Sequence, residues 1–485
     1  MTRIFSDVAS LKKNIAYNFA YQLLILALPL VTAPYLSRVI GASGVGTYSY
    51  SYAIAQYFVY FVKLGLDNYG NRTIAACQDD RDARTRAFWS IYALQAACFV
   101  LSGAAYLAYS FLFANDLTVA LLQGLFVLSS LFDVNWFFFG MEQFKLTVIR
   151  NTVVKVATAA LVFILVRDAG DVDVYVAVMC GGFLVSQLIL WPFLRRYIGF
   201  HKPSASEVLA HVRPNIVLFV SVIAISIYNT LSRIILGAMV DEEAVGFFDN
   251  AAKIVSVPTA LVAAVGTVML PRTSALLAKG EMEKARSHID RTMLAVMAFA
   301  GVSAFGIPSV AYPFAEVFYG PGFETTAAAL VVLCATVPLL GFGNVMRTQY
   351  LIPSKLDNVF LVSAFCGAAA SVVVNLALVP TLGALGASFA SVAAEAAVLV
   401  YQAVRVRKSF PLGRYTLYLA VFLCIGALMA AVLQLVPYMG SDVVDMAARI
   451  GIGFAVYLPL AALAAWLLTR RRWKAGGQWQ EKDIQ

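Results

Sequence analysis

The chain has little charge for its size. Of its 485 residues, 13% are charged and 61% are hydrophobic, and the mean hydropathy is +0.79. Soluble domains contain about 25% charged residues and about 45–50% apolar residues. The shortage of charge therefore excludes an ordinary soluble protein and predicts a chain embedded in a lipid bilayer.

The chain also lacks the motifs of the common enzyme classes. It has no phosphate-binding loop, no His/Glu metal motif and no Gly-x-Ser-x-Gly sequence, and its polar connections are too short for a separate catalytic domain. The six cysteines are scattered and the three histidines form no ligand set, so we expect neither disulfides nor a metal site. We predict a protein that is not an enzyme and has no catalytic residue, metal or cofactor.

Long apolar segments recur along the whole chain. Each is close to the length of about 20 residues that an α-helix needs to cross a bilayer. A transmembrane barrel would instead show alternating segments of about 10 residues. We therefore predict an all-α, polytopic membrane protein with fourteen transmembrane helices, at residues 14–36, 47–66, 88–112, 117–139, 148–166, 174–194, 214–237, 247–270, 291–312, 326–346, 358–379, 384–404, 415–437 and 447–469.

Lysine and arginine are concentrated in alternate connections. Of the 36 cations, 29 lie in the N-terminal tail, the even-numbered connections and the C-terminal tail. Because cationic loops are retained in the cytoplasm, both termini are predicted to be cytoplasmic. No small-residue cleavage site follows a short apolar core near the N-terminus, so we expect the first helix to be retained. The net charge of +9 then reflects topology, and no nucleic-acid partner is predicted.

A sequence repeat divides the chain. Residues 34–56 read PYLSRVIGASGVGTYSYSYAIAQ, and residues 229–253 read NTLSRIILGAMVDEEAVGFFDNAAK, each with Leu-Ser-Arg and then Val-Gly. The two Val-Gly pairs, and two later Arg-Thr pairs, are offset by 200 residues. We predict two pseudo-symmetric six-helix halves, 1–200 and 201–410, followed by residues 411–485 with two further helices and a cytoplasmic tail. Parallel six-helix repeats are typical of alternating-access transporters.

Four cations in or near the apolar segments are candidates for binding an anionic group: Arg38, Lys155, Arg233 and Lys253. An ionised side chain at bilayer depth costs about 2.5–3.5 kcal/mol, so we expect these residues to face water or an anion. Other interpretations stay open. Arg38 and Arg233 also suit anchors at the outer interface, and Lys253 follows Asp249 at the spacing of an intrahelical ion pair.

Three acidic residues in the apolar segments have two interpretations each. Asp133, Asp249 and Glu395 are candidates for proton or sodium coupling, or for pairing with a buried cation. A fourth acid, Asp67, follows Lys63 by four residues, and this spacing predicts a structural ion pair.

The N-terminal part of the chain carries a family resemblance. The segment KKNIAYNFAYQLLILALPLVTAPYLSRVIGASGVGTYSYSYAIAQYFVYFVKLGLDNYGNR and the two six-helix halves resemble the polysaccharide-biosynthesis branch, the O-antigen flippases, of the multidrug/oligosaccharidyl-lipid/polysaccharide exporter superfamily. The resemblance implies flipping of an undecaprenyl-diphosphate-linked oligosaccharide from the cytoplasmic to the outer leaflet of the bacterial inner membrane. It also implies membrane lipid and polysaccharide assembly proteins as partners.

The charged residues agree with what the resemblance implies. Arginine binds phosphate oxygens bidentately and lysine binds them as a point charge, so a cationic cavity would carry the diphosphate. Arg72 and Arg272, just beyond helices 2 and 8, suit either the cytoplasmic topology or a cytoplasmic gate that collects the anion. With no nucleotide site, transport is expected to run downhill or to be coupled to protons or sodium, as in an antiporter.

Two other functions are alternatives. A multidrug or cation extruder of the same superfamily would need an acidic cavity, whereas the candidates at depth are mostly basic. A membrane polysaccharide polymerase or ligase would need a glycosyl-transfer site, but the longest outer connection, 313–325, has no Arg, Lys or His. The flippase therefore remains the favoured interpretation.

The topology can be tested by cysteine labelling in a chain whose six cysteines are replaced. In right-side-out vesicles, a membrane-impermeant maleimide should label Asn115→Cys, in a predicted outer connection, and should label Ser204→Cys only after permeabilisation. The physical reason is the retention of cationic loops in the cytoplasm. Labelling of both sites before permeabilisation would contradict the predicted orientation.

Overall fold

The computed structural model describes residues 24–470, except for the side chain of Asn229. The N-terminal tail, the predicted start of helix 1 at residues 14–23 and the C-terminal tail after Arg470 lie outside the described residues. The described part is helical throughout, which confirms the all-α fold class. Its helices are α1 (Leu24–Val39), α2 (Gly41–Lys63), α3 (Leu66–Ala76), α4 (Arg81–Leu112), α5 (Leu117–Leu131), α6 (Asn135–Gly140), α7 (Phe144–Leu165), α8 (Val172–Leu188), α9 (Trp191–Leu194), α10 (Ala205–Ala210), α11 (Val212–Met239), α12 (Glu242–Ala278), α13 (Met282–Ser309), α14 (Ala311–Tyr319), α15 (Glu324–Leu333), α16 (Thr336–Met346), a π-helical turn (Arg347–Leu351), α17 (Asp357–Leu382), α18 (Ala384–Val406), α19 (Leu412–Gln434) and α20 (Asp442–Arg470).

Twelve helical segments of the described part are long and apolar enough to cross a membrane. They coincide with predicted helices 3 to 14, so the chain is a multi-pass membrane protein. Predicted helix 1 is described only from Leu24, as the shorter apolar helix α1. Predicted helix 2 is present as the 23-residue α2, whose serine and tyrosine residues make it less apolar than the twelve.

Several predicted helices have different ends or are interrupted in the structure. Helix 2 was expected to continue to residue 66, but α2 ends at Lys63 because Leu64 has a φ of 46°, which an α-helix cannot continue. The outer connection 313–325 is largely helical, since α14 covers Ala311–Tyr319. Predicted helix 10 is divided into α15, α16 and the π-helical turn.

The chain forms two compact units, which meet in sequence between Ser226 and Ile227, inside α11. The predicted domain boundaries and the internal repeat stay predictions. The first unit has an aromatic core, in which the ring of Trp136 stacks on Phe88 with their centres 5.5 Å apart. The backbone of α3 approaches this ring closely at Gly70, where a Cβ would lie 2.6 Å from it.

In the second unit, the last two helices, α19 and α20, pack against α13. Phe422 and Tyr457 are fully buried, and the Tyr457 hydroxyl donates to the Ala298 carbonyl at 2.6 Å. At the contact between α13 and α19, Gly301 faces Gly426, and a Cβ on Gly426 would lie 2.7 Å from the Gly301 carbonyl oxygen. Small residues at such contacts let two membrane helices approach closely, so the predicted helices 13 and 14 are part of the core of this unit.

The close contact at Gly301 can be tested by adding one methyl group. In Gly301→Ala, the new Cβ would lie 2.6 Å from the Phe422 carbonyl oxygen, and a backbone atom cannot move aside cheaply. We expect a loss of about 1–3 kcal/mol of stability, measured as a lower melting temperature in detergent. Gly451→Ala is the matched control, since nothing lies within 4 Å of a Cβ there. Equal melting temperatures for the two variants would contradict the packing.

Candidate functional site

The first unit contains a lysine held by two carboxylates. The Nζ atom of Lys63, at the C-terminal end of α2, lies 2.7 Å from Asp67 Oδ1 and 2.7 Å from Asp133 Oδ2. The expected Lys63–Asp67 ion pair is therefore present. The two carboxylates differ in burial, because the Asp67 side chain is 64% exposed and the Asp133 side chain only 9%. Asp133 was considered either as a coupling residue or as the partner of a buried cation. In the structure it is paired with a buried cation, Lys63.

A polar network extends from Asp133 towards α7. The other carboxylate oxygen of Asp133 accepts hydrogen bonds from the backbone and side-chain amides of Asn135, at 3.0 and 2.7 Å. The Asn135 side-chain oxygen in turn accepts from Arg150 Nη2 at 2.7 Å. Arg150 Nη1 also donates to the Ser186 carbonyl at 2.6 Å and to Gln187 Oε1 at 3.2 Å. Neutral oxygens thus surround a guanidinium inside the unit.

Sequence reasoning missed Arg150 because it was counted with the cytoplasmic connection 140–150. The structure instead begins α7 at Phe144 and buries Arg150 within it. Arg84 was also counted as a loop cation, but it is buried and donates to the Tyr197 carbonyl. Several of the groups that bind these arginines, such as the Tyr197 and Ser186 carbonyls, come from other helices or connections, so local sequence spacing did not identify them.

The second unit contains a carboxylate held by two cations. Asp249 on α12 accepts from Arg233 Nε on α11 through Oδ1 at 2.8 Å, and Lys253 Nζ lies 3.0 Å from Oδ2. The Asp249 side chain is 9% exposed, while the two cations are each 24% exposed. The guanidinium of Arg233 also lies 5.8 Å from the centre of the Phe248 ring. This group carries one more positive than negative charge.

The sequence explains why α12 presents these residues together. Asp241 begins the helix by accepting a hydrogen bond from the Ala244 amide at 2.7 Å, as an N-cap residue does. Asp249 and Lys253 then follow one turn apart on the same face. Tyr319, the last residue of α14, also contacts this part of α12, because its hydroxyl donates to the Asn250 carbonyl at 2.9 Å.

The other two predicted anion-binding residues lie in the first unit. Arg38 is exposed near the end of α1, where the Tyr35 hydroxyl donates to the Val166 carbonyl at 2.5 Å and joins α1 to the end of α7. Lys155 is half-buried in the middle of α7, and among residues 24–470 it has no hydrogen bond or ion pair. Lys155 is therefore a cation at depth whose charge is not compensated locally.

The remaining predicted residues are placed separately. Arg72 on α3 and Arg272 on α12 are both exposed, each within its own unit. Glu395 is half-buried on α18 and lines a cavity that also contains Arg347, the first residue of the π-helical turn. Arg347 is a further residue that had been counted as a loop cation.

Outside the spans, Asp171 organises the connection between α7 and α8. Its carboxylate accepts hydrogen bonds from the backbone amides of Arg167 and Asp168, at 2.7 and 3.1 Å. These two amides lower the pKa of the Asp171 carboxyl below its ordinary value. The Arg167 side chain is directed back to the helix end, where its Nε donates to the Ile164 carbonyl.

The fold and the charged clusters define a polytopic membrane protein that carries ionised side chains within its helical units. The chain belongs to the family described as "Polysaccharide biosynthesis protein", whose sequence model matches residues 11–277. The resemblance to the polysaccharide-biosynthesis branch is therefore confirmed. Curated proteins similar to this chain include the "Putative O-antigen transporter" of Escherichia coli K12, with 23% identity over 413 residues, 82% of this chain and 97% of the relative. A protein of the same description from Shigella dysenteriae is 19% identical over 283 residues, 58% of this chain and 70% of the relative.

Two solved structures have a similar fold. The lipid II flippase MurJ in an inward closed conformation matches with a TM-score of 0.75 and 14% identity, over 94% of this chain and 99% of that chain. An inward-facing multidrug resistance transporter of the MATE family, in the MOP superfamily, matches with a TM-score of 0.53 and 15% identity, over 79% and 98%. At these identities the similarity shows the fold alone.

The two carboxylates around Lys63 provide a matched pair of variants. Asp133→Asn removes a buried partner and leaves the lysine under-compensated, which should cost about 3–5 kcal/mol. Asp67→Asn removes an exposed partner and should cost at most about 1 kcal/mol. Thermal unfolding of the two purified variants in detergent measures the difference. If Asp67→Asn were the more destabilising variant, Asp133 would not be the main partner of Lys63.

Proposed function

We propose that this protein flips an undecaprenyl-diphosphate-linked oligosaccharide from the cytoplasmic to the outer leaflet of the bacterial inner membrane. Family membership supports a role in polysaccharide biosynthesis. The E. coli relative, named as an O-antigen transporter, supports transport rather than chemistry on the sugar. The observation that carries the proposal is the group Arg233–Asp249–Lys253 in the second unit, in which one carboxylate contacts two cations.

The diphosphate is the part of the substrate that cannot cross the hydrocarbon of the bilayer without a protein. An isolated ion in hydrocarbon costs tens of kcal/mol by Born estimates, whereas the polyprenyl tail can stay in lipid. A diphosphate that approaches Arg233 and Lys253 meets two cations that are already positioned by Asp249. Charge-assisted hydrogen bonds from these cations would replace the water that the diphosphate loses.

Lys155 supports the same proposal in the first unit. A half-buried ammonium without a carboxylate partner in the described part of the chain is electrostatically costly, and a phosphate would compensate it. We assign Arg38, Lys155, Arg233 and Lys253 to the anionic headgroup, and the exposed Arg72 and Arg272 to its collection at the cytoplasmic face. Alternating access, coupled to an ion in antiport, would carry the headgroup across.

The first experiment is the leaflet accessibility of the lipid-linked sugar in cells lacking this protein. An impermeant probe on the outer face should detect less lipid-linked sugar than in the parent strain, and re-expression should restore the signal. An unchanged outer signal together with retention of a drug would favour a multidrug extruder of the same superfamily. Lipid-linked sugar that reaches the outer face but stays unpolymerised would favour a polymerase or ligase.

The cationic site is tested by Lys155→Met in the same assay at matched expression. Loss of a charge-assisted hydrogen bond is worth about 1.5–3 kcal/mol, so we expect the flipping rate to fall about tenfold or more. Lys155→Arg keeps the charge and should keep most of the rate. Arg167→Met is the matched control, because Arg167 lies just beyond the same helix and donates to its last turn. Equal rates for Lys155→Met and Arg167→Met would exclude Lys155 from the site.

A further inference from the structure

A polar cavity lies inside the second unit, away from the group around Asp249. It has a volume of about 180 Å³ and is bounded by α11, α16, the π-helical turn, α17 and α18. One water molecule occupies about 30 Å³ of liquid, so the cavity has room for several. Its polar lining consists of Tyr228, Asn344, Arg347, Ser363, Glu395 and Gln402.

Two opposite charges face this cavity without being joined. Glu395 and Arg347 interact electrostatically, but among residues 24–470 neither side chain makes a hydrogen bond or an ion pair. The guanidinium of Arg347 lies instead over the Phe360 ring, 5.3 Å from its centre. This arrangement differs from Asp249, which both of its cations contact directly. The Glu395 carboxyl therefore faces the cavity without a direct hydrogen-bond or ion-pair partner among the described residues.

A buried amide oxygen in the cavity wall needs a hydrogen-bond donor. Gln402 is 1% exposed, and within the described part of the chain its Oε1 has no partner. The equally unpartnered Asn344 Oδ1 lies instead against Gly266 of α12, which does not line the cavity. The Gln402 amide nitrogen already donates to Ser363 Oγ at 2.8 Å, which fixes Oε1 as the acceptor. Buried acceptors of this kind are usually satisfied by protein or water donors. A water molecule or a protonated carboxyl supplies such a donor, while a carboxylate does not.

We propose that this cavity is a proton-binding site in which Glu395 takes up and releases the proton. When Glu395 is protonated, its O–H adds a donor to a wall rich in acceptors. When the proton leaves to cavity water, the carboxylate is attracted to Arg347, and the electrostatic balance of this part of the unit changes. The proposal deepens the proposed function, on which it rests for the coupling, by assigning protons as the coupled ion.

The charged and titratable groups around Glu395 favour a proton over sodium. In the cavity lining, α11 contributes the Tyr228 phenol and the π-helical turn contributes Arg347, while α16 and α17 contribute uncharged side chains. A sodium ion would share this space with the fixed positive charge of Arg347, and like charges repel strongly away from bulk water.

Helical spacing explains why Arg347 reaches the cavity, since residues three apart share a helix face. A π-helical turn changes the direction only of the side chains that follow its start, and such turns occur frequently at functional sites. Here the turn begins at Arg347 and directly continues α16, which carries Asn344 one turn earlier. The two residues therefore line the same cavity from consecutive turns.

The first test needs no substrate. Infrared difference spectra of the purified protein between high and low pH should show the C=O stretch of a protonated carboxyl that Glu395→Gln removes. Glu395→Asp keeps a titratable carboxyl and should keep the band. It therefore distinguishes loss of the carboxyl from misfolding as the reason why the band disappears in Glu395→Gln. Glu324→Gln, an exposed glutamate at the start of α15, is the matched control and should leave the buried-carboxyl band unchanged. An unchanged band in Glu395→Gln would overturn the proposal.

The second test measures the coupling in proteoliposomes containing an undecaprenyl-diphosphate-linked oligosaccharide. An imposed pH gradient should accelerate flipping by the wild type severalfold, and Glu395→Gln should lose this acceleration while Glu395→Asp retains it. Acceleration by a sodium gradient alone would overturn the assignment of protons. If the wild type did not flip the lipid but Glu395→Gln still lost the infrared band, the flippase function would fail and the proton site would stand.

Discussion

The cost of an ionised side chain in a membrane-embedded helical unit is the constraint on which the rest of this structure depends. The described part of the chain compensates buried charges in different ways. Lys63 contacts two carboxylates, Asp249 contacts two cations, and Arg150 donates to neutral oxygens. The contacts of Lys63 with Asp133 and of Arg150 with Ser186 join separate segments of the chain, so charge compensation also positions helices within the first unit.

Incomplete compensation separates candidate functional groups from structural ones. In the Lys63 group, the buried carboxylate of Asp133 is bound by the lysine, and this contact holds α2 to the α5–α6 connection. In the group around Asp249, one buried carboxylate contacts two cations, while Lys155 has no acidic partner among the described residues. A ligand that brings negative charge lowers the electrostatic energy at the last two places, which is why an anionic headgroup suits them. Glu395 and Arg347 differ from both kinds of group, because these two opposite charges line the same cavity without direct contact.

Much of the architecture could be predicted from sequence because bilayer thickness imposes a length on every apolar segment. The predicted spans from residue 88 onwards all correspond to long apolar helices. Helix interruptions were less predictable, since the end of α2 depends on the positive φ of Leu64 and no glycine or proline occupies that position. The ion pair Lys63–Asp67 was predicted because its two residues are four apart in one chain segment. The pairing of Lys63 with Asp133 was not predicted, because Asp133 lies far from Lys63 in the sequence, in the connection between α5 and α6.

By itself, the sequence determined the class of protein, the approximate positions of most membrane helices and the set of charges that had to be accommodated at depth. These properties follow from composition and from run length, which are local. Tertiary structure alone decided which charges meet. Arg150 and Arg347, which were counted as loop cations, lie within helical segments. Arg233 and Lys253 contact the same carboxylate, that of Asp249. Glu395 lines a cavity. The physical reason is that pairing energies depend on distances of a few ångströms between residues far apart in the chain, and sequence spacing specifies those distances only within a single helix.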